Sequence, residues 1–86
     1  MHEAALLRDL MARIEMVAAD AGAGRVTRVE VWLGALSHFT PEHFREHFAD
    51  AAAGTKAAGA EVACQPSTDV RHPDAGGVRL LRVEVA

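Results

Sequence analysis

Eighty-six residues, half of them hydrophobic and 24% charged, with a net charge of −3, describe a single small globular domain of the soluble class. A chain this short buries only about 60% of its unfolded surface, so its stability margin is narrow. The nine basic residues form no stripe and are not interleaved with aromatics, which argues against nucleic acid. No apolar run approaches the ~20 residues of a membrane span, and one cysteine excludes both an internal disulfide and a cysteine-built zinc site.

Residues 4–21 read as a helix. Leu7, Leu10, Met11, Ile14, Val17, Ala18 and Ala21 recur at three- and four-residue steps as one apolar stripe, and Gly22 is placed to cap the C-terminus. His2, Glu3, Arg8 and Asp9 interrupt any basic-then-apolar secretion signal. Together with the single cysteine, this points to a cytoplasmic location.

Residues 26–33 read as a strand, with Val29, Val31 and Leu33 on one face and Arg28, Glu30 and Trp32 on the other. The stretch TPEHFREHFADAAAG reads as a second helix. Thr40 is its N-cap, Pro41 and Glu42 suit its first turn, Phe44 and Phe48 define its apolar face, and Gly54 stops it. Residues 60–65 alternate as a strand with Val62 and Cys64 on one face, residues 66–77 form a loop, and residues 78–85 form the last strand with Leu81, Val83 and Val85 facing one way. The order α-β-α-β-β predicts a two-layer α+β fold, a three-stranded sheet with two helices packed on one face.

Several stretches resemble the HypA/HybF family of nickel-insertion accessory proteins, which mature [NiFe] hydrogenases and in some organisms serve urease. They are Met1-His2-Glu3, GAGRVTRVEVWLGALS at residues 22–37, PEHF at 41–44, GTKAAGAEV at 54–62 and the C-terminal VRLLRVEV. Each is weak alone, but in register they cover nearly the whole chain. Family members usually carry a zinc module with paired CxxC motifs between the last two strands. Here that space holds QPSTDVRHPDAGG, and the one cysteine, Cys64, lies inside the preceding strand. The expectation is a single HypA-like nickel-binding domain over residues 1–86, its zinc module replaced by loop 66–77, with no structural zinc.

The candidate sites follow. A bulky His2 protects Met1 from trimming, so the terminal amine, backbone amides and the His2 imidazole make a nitrogen-rich chelate of the kind that suits Ni(II) or Cu(II). The alternative is a solvated terminal histidine. The resemblance selects nickel, held by Met1, His2 and Glu3, with His2 essential. Glu3 also suits the positive end of the helix dipole. Because imidazole must be neutral to coordinate, affinity should fall below pH ~6.5, the ordinary histidine value.

His43 and His47 lie four apart on one helix face, with Asp50 continuing it, and His38 sits just before the helix. These three form a candidate secondary metal site; the alternative is a polar helix flank. The resemblance adds that many members carry a carboxylate where this chain has Thr40, and His38 is the nearest substitute for it. His72, in the replacement loop, is assigned nothing. Trp32 and Leu80 are read as sharing the sheet face away from the helices, as a partner or homodimer surface, or else as packed against Arg28 or Arg82. Cys64 reads as a small buried hydrophobe rather than a reactive thiol.

The resemblance implies a non-enzymatic nickel metallochaperone acting in hydrogenase maturation. Its partners would be a HypB-like GTPase and the hydrogenase large subunit, with neither nucleic acid nor membrane involved. The competing reading is a non-metal-binding adaptor that keeps only the family's interaction surface.

Overall fold

The computed structural model describes residues 2–86, with side chains from Glu3 onward. Its elements are α1 (His2–Asp20), β1 (Val26–Leu33), α2 (Pro41–Ala52), β2 (Glu61–Pro66) and β3 (Val78–Val85). The expected α-β-α-β-β order and α+β class are those observed. No helix among the described residues is long and apolar enough to cross a membrane.

The buried stripe of α1 is Leu7, Leu10, Met11, Ile14 and Ala18. Val17 and Ala21, expected on that stripe, face solvent, Val17 at 40% exposure. Val17 satisfies the three-residue step but lies at the edge of the buried arc, and Ala21 lies beyond the last helical residue, Asp20. The helix ends in a Schellman turn. Gly22 takes φ +66°, its N–H donates to Ala19 O, and Ala23 N–H donates to Ala18 O at 2.9 Å. Ala18 and Ala23 are both buried.

β1 is the central strand, in the order β2-β1-β3. It pairs parallel with β2 through the α2 crossover and antiparallel with β3. Val26, Val29, Val31 and Leu33 are wholly or nearly wholly buried under the helices. α1 lies over β3, α2 lies over β2, and the two helices touch each other.

The β1–β3 ladder contains two irregularities that sequence alternation does not reveal. Glu30 pairs with Arg82 but the next residue, Val31, pairs with Leu80, so Leu81 is an extra residue on β3. Val78, Leu80 and Val83 therefore turn toward the core, while Leu81 is 47% exposed. This corrects the expected grouping of Leu81, Val83 and Val85. A strict period of two holds only while no residue is inserted, and one bulge swaps the faces beyond it. The second irregularity lies between Val26 and Arg28, where Thr27 hands its hydroxyl to Glu84 O.

The solvent face of the sheet is charged. Arg28 sits at its centre, 2.9 Å from Glu61, 3.3 Å from Glu30 and 3.9 Å from Glu84, and Glu84 also meets Arg82. Hydrogen bonds to Glu30 and then Glu61 raise the pKa of Arg28 further above its ordinary value.

Candidate metal centre at the helix seam

Helix α2 starts where the local sequence dictates. Thr40 is extended, and its Oγ1 accepts from His43 N–H at 3.1 Å, while Pro41 occupies the first helical position. Phe39, the residue before the cap, packs edge-on against Phe44 with ring centroids 5.3 Å apart. A hydrophobic pair at these two positions staples the chain's entry into the helix. The sequence reading passed over Phe39, although its place next to the cap and five residues before Phe44 was the available signal.

With α2 anchored in this way, His43 and His47 project from successive turns of one face. Their Nε2 atoms are 3.0 Å apart, and the ring centroids 4.5 Å. Buried Phe39 lies beneath both, 6.2 Å from the ring of His43 and 6.3 Å from that of His47. The start of α1 packs over this face, bringing Glu3 Oε1 to 3.7 Å from His47 Nε2. Ligand atoms of Glu3, His43 and His47 all lie within 4.8 Å of one another. His47 and Glu3 are half-exposed and His43 is exposed, so the cluster is open to water on one side. His47 also borders an open groove of about 490 Å³ between the helices, lined by Leu7, Met11, Arg8 and Asp50 among others.

The expected residues are thus divided differently from the way the sequence grouped them. Met1 and the His2 side chain lie outside the described residues. Glu3, assigned to the N-terminal set, is brought to the two histidines of α2. His38, grouped with those histidines, is not in the cluster. It is exposed in the segment between the 34–37 turn and α2, with φ +67°, a left-handed conformation uncommon outside glycine. The Thr40 side chain is engaged in capping α2.

Trp32 and Leu80 do not share a face. Trp32 pairs with Arg79, whereas Leu80 pairs with Val31 and turns to the core because of the bulge at Leu81. Trp32 is half-buried, and its ring meets His72 at a centroid distance of 4.7 Å. His72, assigned nothing from sequence, therefore has a packing role. Asp74 N–H donates to its Nδ1 at 2.9 Å, which leaves the ring proton on Nε2. Cys64 is half-buried against the core. Burial raises its pKa, Arg45 partly opposes that, and Glu42 adds to it.

Comparison with known proteins places this geometry in context. Residues 1–71 match the family model described as hydrogenase/urease nickel incorporation, metallochaperone, hypA. The chain is 37% identical over 80 residues to a hydrogenase maturation factor HypA of Chlorobium limicola, covering 93% of this chain and 69% of that protein. It is also 37% identical over 62 residues to the protein of the same name from Chloroflexus aurantiacus, covering 72% of this chain and 54% of the relative. The chain thus spans between half and about two thirds of the length of these relatives.

Proposed function

The chain belongs to the HypA family of nickel-incorporation metallochaperones in hydrogenase maturation, and from that premise we propose that it takes up Ni(II) at Met1, His2 and Glu3 and delivers it to a hydrogenase precursor. The partners are a HypB-like GTPase and the hydrogenase large subunit, in the cytoplasm. The family role is that of an accessory metallochaperone, so the chain transfers an ion rather than catalysing a reaction.

The observation that carries the reading is that the family match begins at residue 1, at a helix whose first residue is His2. The first four N–H groups of any helix have no intrahelical partner. The amides at the start of α1 are therefore available to a metal beside a terminal amine and an imidazole. Such a nitrogen set suits tetragonal Ni(II). A terminus with few fixed ligands also releases its ion readily, as delivery requires.

Between β2 and β3, residues 67–77 supply a compact loop closed by His72 on Trp32 and by Gly34 N–H to Gly77 O at 2.9 Å. We take this loop to replace a zinc module, leaving residues 1–86 as one nickel-binding domain.

The test is titration of untagged protein with Ni(II), wild type against His2→Ala, read by the square-planar d–d spectrum that an amine–amide–imidazole set produces. His2→Ala should abolish that spectrum. If wild type and variant give the same spectrum and affinity, the N-terminal site is wrong; if neither binds Ni(II), the adaptor reading takes its place.

A further inference from the structure

We infer that Glu3, His43 and His47 form a second, separate metal site, which binds a first-row divalent cation through two imidazole Nε2 atoms and one carboxylate and does not depend on the terminal amine or on His2. Three observations converge on it. The two nitrogens stand 3.0 Å apart; at metal–imidazole bond lengths of ~2.0–2.1 Å they would subtend roughly 95° at one ion. That is a cis angle, with no side chain needing to move far. The carboxylate arrives from a different helix, with all three donor atoms within 4.8 Å of one another. Finally, buried Phe39 under both rings and the Thr40 cap at the helix start limit how far the imidazoles can swing. Donors held in place before the ion arrives lose less freedom on binding.

In the metal-free protein one ring donates its Nε2 proton to the other. An ion at this place takes the lone pairs of both rings once that proton resides on Nδ1. Two imidazoles and a carboxylate favour Ni(II), Co(II) or Zn(II) over Mg(II) or Ca(II), which prefer all-oxygen sets. The open side leaves the remaining positions to water, so bound Ni(II) here is six-coordinate and paramagnetic. An amine–amide chelate at the N-terminus would instead hold it square-planar. The chain can therefore carry two ions of different spectroscopic character, with Glu3 giving its backbone amide to the N-terminal chelate and its carboxylate to the helix site.

The test begins with His2→Ala, in which the N-terminal chelate is disabled whether or not it works as proposed. Titrated with Ni(II) alone, this protein should bind one ion and broaden the ring signals of His43 and His47 while those of His38 and His72 stay sharp. Adding His43→Ala and His47→Ala, both compatible with a helix, should remove the binding. Glu3→Gln should weaken it by at least the about tenfold that follows loss of even an outer-shell partner. Circular dichroism controls for folding. If His2→Ala binds no Ni(II), if the added His43 and His47 substitutions leave binding unchanged, or if broadening is uniform over all histidines, the inference is wrong. Failure of the N-terminal reading shows instead as a wild type that lacks the square-planar spectrum.

Discussion

His72 tilts over Trp32 at 47°, with the ring centroids 4.7 Å apart, and this contact pins the loop between β2 and β3 to the solvent face of β1. Aromatic pairs of this kind contribute about 0.5–1.5 kcal/mol beyond the area they bury. His72→Ala should therefore lower stability by roughly 1 kcal/mol. Because the chain has one tryptophan, its fluorescence reports the surroundings of Trp32. The emission maximum should shift to the red in His72→Ala and stay in place in His38→Ala.

Gly34 is where the chain leaves β1, and the loop backbone closes directly over it. A methyl group there would overlap the carbonyl of Ala75 and stand 2.8 Å from Gly77 O. Both obstacles are backbone, and both are held, since Ala75 O accepts from Leu36 N–H at 2.8 Å and Gly77 O from Gly34 N–H itself. Gly34→Ala should cost about 3 kcal/mol, at the upper end of ordinary overpacking. Urea denaturation measures it; a midpoint equal to wild type would mean that the loop does not close over β1.

His38 holds φ +67° with a side chain that the structure leaves exposed. A left-handed residue costs about 1–2 kcal/mol unless it is glycine or, in part, asparagine. His38→Asn should therefore raise stability by a few tenths to about 1 kcal/mol in thermal unfolding. The same variant should leave Ni(II) affinity unchanged, which separates His38 from the histidines of α2. A drop in affinity would return it to the metal site.

Thr40 caps α2 through one hydrogen bond to His43 N–H, so Thr40→Ala should cost about 1 kcal/mol. Thr40→Asp should keep the cap and add a favourable charge at the positive end of the helix. The pair of variants, compared by thermal unfolding, tests whether capping is the role of this side chain. Equal losses in both would rule that out.

Cys64 carries the pH prediction. Burial raises its pKa above 9.0, the ordinary value, and the loss of that burial on unfolding returns it there. The unfolded chain thus ionises first as pH rises, binds fewer protons than the folded one, and is favoured. The contribution to stability is fully present below pH ~9 and is lost as pH climbs through the folded value. Alkylation at pH 8 should accordingly be slower in the native protein than in urea, and Cys64→Ala should flatten the alkaline decline in stability. Equal alkylation rates would show a thiol that is not shielded.

The elements themselves were legible because their causes are local. The stripe Leu7, Leu10, Met11, Ile14 and Ala18, the glycine after α1, the Thr40-Pro41 start of α2 and the alternation of β1 each depend on residues a few positions apart. The paired histidines were legible for the same reason, since spacing along a helix puts His43 and His47 on one face. What tertiary structure alone decided were the relations between elements distant in the chain. The bulge at Leu81 arises from how β3 must register against β1 to bury Val83 and Leu80 together, and it turns Leu80 away from the face of Trp32. The meeting of Glu3 with His47, and the exclusion of His38, follow from where α1 crosses α2 on the sheet. No spacing rule spans the 44 positions from Glu3 to His47. Packing two apolar stripes on one face of a sheet brings them together, because burial sets the helix positions and the polar flanks follow.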